Sequence, residues 1–115
     1  MDGIGGNIDC VLKIENVTTT AIGEKVKGWE DLLTLHGFLD LMNDGKDYAT
    51  YNKAMEDSTH VFICDYVSIV KSDGKEAKAT ELKATIDGED YDVTYIDDPM
   101  GLHKHLEIFL RRVGD

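Results

Sequence analysis

The stretch from Ile86 to Leu110 constrains the fold more than any other part of the chain. It opens with Asp87-Gly88, a dipeptide that supplies the positive φ angles of a two-residue β-hairpin turn. Apolar and polar residues then alternate as in a half-buried strand, with the larger side chains at Tyr91, Val93 and Tyr95. Asp98-Pro99 ends that strand, because proline has no N–H for the ladder and restricts the residue before it. The stretch therefore predicts a hairpin followed by a corner.

Three further segments have strand character. Cys10 to Val17 alternates with one apolar face, and Leu82 to Ile86 does the same. Thr59 to Val70 is rich in β-branched residues and apolar on both faces, which predicts a central strand. Ser72-Asp73-Gly74 is typical of a turn, and Thr18 to Gly28 is typical of a loop or hairpin.

Two segments fit a strand or a helix equally well. If Trp29 to Met42 is a strand, one face carries Leu33, Leu35, Leu39 and Leu41. If it is a helix, one face carries Leu32, Leu35, Leu39 and Met42. The C-terminal segment after Pro99 fits a strand through Leu106, Ile108 and Leu110. It fits a helix through Leu102, Leu106, Phe109, Leu110 and Val113. Periodicity alone leaves both segments open.

With 115 residues, the chain predicts one domain with one modest core. We expect a flexible, glycine-rich N-terminus over residues 1–9 and a single domain over 10–113. No basic start precedes an apolar run and no long apolar stretch exists, so neither a signal peptide nor a membrane span is expected. Cys10 and Cys64 lack a CxxC partner, which favours reduced structural thiols.

The net charge of −11 is spread along the chain, without a cluster of Lys and Arg. A protein that binds nucleic acid by neutralising phosphates needs such a cluster, so ordinary DNA or RNA binding is disfavoured. An acidic wall would instead let DNA slide past without sticking.

No catalytic, metal or cofactor site is predicted. Ser58 beside His60 lacks the surrounding elbow of a serine nucleophile, and no oxyanion donor can be named. His103 and His105, on one face of a strand, are a weak metal pair without further ligands. The Asp-Gly dipeptides lack the spacing of a calcium loop. The acidic run from Asp87 to Asp98 contains no Lys or Arg and favours a solvated edge.

The sequence resembles the head-closure proteins (head-tail joining, or stopper, proteins) of long-tailed bacteriophages and prophages. The resemblance covers Trp29 to Val113 and rests on WEDLLTLHGFLDLM, YATYNKAMEDS, STHVFICDY and DGEDYDVTYIDDPMGLHKHLEIFLRR. It implies an all-β fold: a small β-barrel of about five to seven antiparallel strands with one long inserted loop, which could contain a short helix. Both ambiguous segments would then be strands.

The resemblance also implies a structural role in the virion neck rather than catalysis. The expected protein is a homo-oligomeric ring subunit between a portal-bound adaptor protein and the tail-terminator or tail protein, made in the host bacterial cytoplasm. Residues 44–58 would form a loop that closes the channel around packaged DNA, without sequence-specific binding. The residues expected to act in this loop are Asp44, Asp47, Tyr48, Tyr51, Asn52, Glu56 and Asp57.

A second set of contacts is expected at the corner, between subunits or with neighbours: Asp98, Pro99, Met100, Leu102 and His103. Two alternatives stay open. One is a tail-terminator or another ring of the neck, and the other is a small acidic module that binds a basic protein. Without the resemblance, residues 44–58 would be interpreted as an ordinary solvated loop.

Overall fold

The chain folds into a closed antiparallel β-barrel, seen in a computed structural model that describes residues 8–41 and 58–113. The described residues form six strands, which pair in the order β1-β2-β3-β6-β5-β4 and back to β1. Their bounds are β1 (Ile8–Thr19), β2 (Lys25–Leu41), β3 (His60–Asp65), β4 (Leu82–Ile86), β5 (Glu89–Asp97) and β6 (His105–Arg112). The predicted fold class is confirmed, and both ambiguous segments are strands.

Several strand boundaries differ from the pattern-based prediction, and two of these differences change the assignment of a segment. β1 begins at Ile8, so residues 8 and 9 belong to the barrel and not to the N-terminal tail. β3 ends at Asp65 and not at Val70. The reason lies in the partner strand. Asp65 is opposite His105, the first residue of β6, so residues after Asp65 have no residue of β6 opposite them with which to pair. Val70 forms only an isolated bridge with Glu76.

The barrel interior is filled by alternate residues of all six strands, as the two-residue period of a β-strand requires. Phe62, Leu12, Ile108 and Leu110 are fully buried there. Phe109 is also fully buried, but it packs in a smaller cluster with Val61 between the flanking side chains of Ile63 and Tyr95. This second cluster explains why β3 and β6 are apolar on both faces.

The predicted Asp87-Gly88 hairpin joins β4 to β5. Asp87 has a φ of 51° and Gly88 a φ of 79°, so both central residues occupy the left-handed region that this two-residue turn needs. The turn fixes the register in which Ile86 faces Glu89 and Ala84 faces Tyr91. As a result, Ala84, Ile86 and Tyr91 all point into the core.

The register assigns each connection to one of two ends of the barrel. One end of the barrel carries four features: the β1–β2 hairpin, the end of β3, the start of β4 and the β5–β6 connection. We call this the arm end. The other end carries the start of β1, the end of β2, the start of β3, the Asp87-Gly88 turn and the end of β6. Within the described residues, no helix is long and apolar enough to cross a lipid bilayer.

The backbone of β3 leaves no room for a side chain at Gly37 of β2. This residue faces Ile8 of β1 on one side and Cys64 of β3 on the other. A Cβ atom built on Gly37 would lie 2.1 Å from the Ile63 carbonyl oxygen and 3.1 Å from the Cys64 Cβ. Since a backbone oxygen cannot move aside as a flexible side chain can, only glycine fits between the two neighbouring strands.

We expect Gly37→Ala to lower the free energy of unfolding by about 3 kcal/mol or more, because the added methyl group forces β2 away from β3. Gly28→Ala, in the same strand, is the matched control: a Cβ there meets nothing within 4 Å. Its effect should stay within about 0.5 kcal/mol. Urea unfolding followed by tryptophan fluorescence measures both, and equal effects of the two substitutions would contradict the close-approach argument.

Candidate interaction surfaces

The predicted channel loop lies almost entirely outside the described residues. This holds for Asp44, Asp47, Tyr48, Tyr51, Asn52, Glu56 and Asp57. The described residues that flank the segment are Leu41, at the end of β2, and Ser58, before β3; both lie at the end of the barrel opposite the arm end. Ser58 is only 6% exposed, and its Oγ lies 2.5 Å from Thr94 Oγ1 of β5. The last residue of the predicted loop is therefore anchored in the barrel.

The predicted corner after Asp98 is a single 3₁₀ turn, Pro99–Gly101. One Asp98 carboxylate oxygen accepts a hydrogen bond from the His103 backbone N–H at 2.9 Å, and the other contacts His103 Nδ1. Met100 and His103 have φ angles of 58° and 54°, which are uncommon for residues with a side chain. Asp98 therefore closes a tight turn and holds its two ends together.

The corner changes the interpretation of the histidine pair. His103 precedes β6 in a left-handed conformation, so His103 and His105 do not share a strand face, and that prediction was wrong. His105 Nε2 lies 3.4 Å from Glu107 Oε2, while His103 contacts Asp98. In residues 8–41 and 58–113, no three His, Cys, Asp or Glu side chains are grouped to hold a metal ion.

A surface groove of about 370 Å³ lies beside the corner at the arm end. We call it the corner groove; its lining includes Tyr66, Val67, Ile69, Glu76, Tyr95, Asp98 and His103. The rings of Tyr66 and His103 stack with centroids 4.4 Å apart, which joins the β3–β4 connection to the corner. Two carboxylates, and neither Lys nor Arg, are among the described residues of the lining. Met100 and Leu102, on the same corner, are 89% and 55% exposed.

The hairpin between β1 and β2 extends beyond the barrel as an exposed arm, residues 15–30. β1 pairs with β4 only as far as Ile14, and β2 pairs with β3 only from Gly37 onward, so both outer edges of the arm lack a neighbouring strand among the residues that the structure describes. Ile22 at its tip is 87% exposed, and Val17 is 50% exposed. The sequence pattern allowed a hairpin over Thr18 to Gly28 but did not identify it as a projecting surface.

Arginines of β6 pair with acidic residues of β5. Arg112 Nη2 lies 2.8 Å from Glu89 Oε2, and Arg111 Nη2 lies 3.4 Å from Asp92 Oδ2. All four side chains are roughly half exposed, so each pair stabilises the fold by less than about 1 kcal/mol. Two acidic residues of the run between Asp87 and Asp98 therefore have basic partners. These partners lie on the neighbouring strand and not in the run itself.

The two cysteines are free and buried in the barrel core. Burial raises the pKa of the Cys10 thiol to about 12, with a smaller contribution from Cys64. Burial also raises the pKa of Cys64 to about 11, with a smaller contribution from Asp65. Since the thiolate is the reactive form, both thiols are poorly reactive at neutral pH, as expected for structural cysteines.

Comparison with known proteins identifies the family. The family model described as phage head completion protein matches residues 7–113, almost the whole chain and the whole described barrel. The chain belongs to the phage head completion protein family. This membership confirms the resemblance to head-closure proteins, and no curated protein matches the chain.

A solved structure has a similar fold. The solution structure of a protein from Shigella flexneri 2a superposes with a TM-score of 0.70 at 17% sequence identity, covering 100% of this chain and 99% of that chain. At this identity, the similarity shows the fold alone.

Membership of the head completion family assigns the chain a general role. Proteins of this family are structural and not enzymatic, and they act in joining head to tail. The chain is therefore a virion-associated protein that contacts other virion components. Its exposed surfaces are therefore candidates for contact with those components.

We expect Asp98→Ala to lower the free energy of unfolding by about 1 kcal/mol, because the His103 N–H loses its acceptor and the left-handed turn loses its closing contact. Asp97→Ala removes the same charge one residue earlier. Asp97 lies opposite Glu107, so its removal relieves a like-charge pair and should be neutral or slightly stabilising. Thermal unfolding of the two variants checks this, and a loss at Asp97 as large as at Asp98 would contradict it.

Proposed function

We propose that this head completion protein is the subunit of a homo-oligomeric ring in the virion neck, which closes the DNA channel after packaging and provides the surface for tail attachment. Membership of the family over residues 7–113 is the observation that carries this proposal. In this arrangement the ring contacts a portal-bound adaptor protein on one side and the tail-terminator or tail protein on the other. The chain is made in the host cytoplasm and then joins the neck.

The charge of the chain supports a channel role. Each subunit carries −11, so neighbouring subunits repel unless their acidic side chains lie apart by more than a Debye length, about 8 Å at physiological salt. Acidic groups that line the lumen or the outer surface meet this condition. An acidic lumen also keeps DNA from adhering, so packaged DNA moves freely once the channel opens.

Residues 44–58 are the proposed channel loop. The segment joins β2 to β3, which are neighbours in the barrel, and the flanking residues Leu41 and Ser58 are both at the end opposite the arm. Tyr48, Tyr51 and Asn52 would contact equivalent residues of neighbouring copies. Asp44, Asp47, Glu56 and Asp57 would keep the loop from binding DNA tightly. In this proposal the arm end, with its corner groove, serves contacts with proteins.

The ring proposal predicts the phenotype of a prophage that lacks this gene. Heads should package DNA but lose it through the open channel and fail to join tails, tails should have their normal length, and the chain supplied in trans should restore infectious particles. Electron microscopy of induced lysates shows the heads and tails, and a plaque assay measures the infectious particles. A tail-terminator subunit would instead leave tails of irregular length, so that outcome would favour the alternative and contradict the head-closure role.

The loop proposal predicts that deletion of residues 48–55 leaves the ring in place but lets packaged DNA escape. The deletion removes both tyrosines and leaves Ser58, which is anchored on Thr94. Nuclease-protected DNA per particle is the measurement, with immunogold labelling of the neck as evidence that the variant is incorporated. Particles that contain the deleted protein and still hold their full DNA would show that this loop does not close the channel.

A further inference from the structure

The arm presents one face that is both apolar and basic. In an antiparallel pair, residues directly opposite each other share a face. Val17 is opposite Lys27 and Thr19 is opposite Lys25, so these four side chains lie together. We call them the basic face of the arm. The arm, residues 15–30, contains two lysines and three glutamates, a net charge of −1 in a chain of −11. Lys27 Nζ lies 3.7 Å from Glu15 Oε1 at the base of this face, and Lys25 lies nearer the tip.

The tip of the arm is held in a defined shape. Thr20 N–H donates to the Glu24 carbonyl at 2.8 Å, Gly23 N–H donates to the Thr20 carbonyl at 3.0 Å, and Glu24 N–H donates to Thr20 Oγ1 at 3.2 Å. Ile22 sits at the apex of this turn and is 87% exposed. A bulky apolar side chain fixed at the apex of an ordered turn is suited to insertion into a groove.

The corner groove has the opposite properties. Tyr66, Val67 and Tyr95 give it apolar and aromatic walls, and Glu76 gives it negative charge, to which Asp98 adds although both of its carboxylate oxygens contact His103. The exposed side chains of Met100 and Leu102 extend the apolar surface beside it. The basic face and the apex of the arm therefore match the groove in charge and in polarity.

We infer that the arm of one copy docks in the corner groove of the neighbouring copy, with Ile22 in the groove and Lys25 and Lys27 beside Glu76 and Asp98. This inference rests on the proposed ring and names the contact that links its subunits. The occupant of the groove is thus a second copy of this chain.

The arm is long enough for this contact. Five residues of β1 lie beyond Ile14, its last partner position with β4, and at 3.3 Å each they extend about 17 Å. The two shorter dimensions of the molecule are 33 and 26 Å. Half of either dimension is about 13 to 17 Å, so the length of the arm is comparable with the half-width of a neighbouring subunit.

The positions of the two surfaces also suit a ring. Rotation about a ring axis keeps every atom at its own height, so a head-to-tail contact must join two surfaces that lie at one level of the subunit. The arm and the corner groove both belong to the arm end of the barrel, and the arm projects beyond it, so Ile22 meets the level of a neighbour's groove when the barrels are inclined to the ring axis. A single copy uses each surface once, and repetition of the contact produces a chain that can close.

Photo-crosslinking from the arm tip tests this contact in whole particles. Benzoylphenylalanine at position 22, replacing Ile22, is irradiated in purified virions, and the crosslinked peptides are identified by mass spectrometry. We expect crosslinks between copies of this chain, with the partner peptide from residues 66–79 or 95–106. The control places the same photoreactive residue at Arg111, which is exposed at the other end of the barrel, and should not label those peptides.

Each outcome decides the inference. Three results would overturn the arm contact while leaving the ring proposal intact. Position 22 could crosslink to another virion protein, it could crosslink to peptides at the other end of the barrel, or particles that contain the variant could show no crosslink from position 22. If particles lack the protein altogether, the proposed neck location fails. In that event, irradiation of the concentrated purified full-length chain decides the arm contact separately, by the presence or absence of the same crosslinked peptides.

Discussion

The barrel depends on one close approach between backbones, at Gly37 of β2. β2 is 17 residues long and contributes to three parts of the molecule: the arm, the pairing with β1, and the pairing with β3 that closes the sheet. Gly37 is the point at which both neighbours are bonded at once, and no side chain fits there. If β2 and β3 could not meet at this position, β3 would lose one of its two neighbouring strands and the barrel would open between β2 and β3.

Much of this fold is predictable from local chemistry. The Asp87-Gly88 turn needs two positive φ angles, and Pro99 has no N–H for the ladder, so sequence alone locates both the turn and the corner. β2 and β6 could not be assigned in this way, because their leucines satisfy the period of a helix as well as that of a strand. Their conformation is decided by pairing partners far away in sequence. β3 shows the same limit, since its end is set by where β6 begins.

The interaction surfaces were harder to predict than the fold. The corner was identified because proline marks it, whereas the groove beside it is built from two separate connections and two strands whose proximity no local pattern reveals. The arm was recognisable as a possible hairpin, but its exposure follows from the points at which β4 and β3 stop pairing with its strands. For residues 44–58 the channel role comes from the resemblance to a family and not from a pattern in the sequence, and it stays a prediction.

The alternation of strand direction around the barrel has a practical consequence for handling the protein. With six antiparallel strands in a closed ring, β1 must start and β6 must finish at the same end, the one opposite the arm. Any affinity tag, fluorophore or surface linker attached before Ile8 or after Val113 therefore leaves the barrel on the side of the β2–β3 connection. Immobilisation through a terminus presents the arm and the groove to solution, while labels that must avoid the β2–β3 side need an internal position.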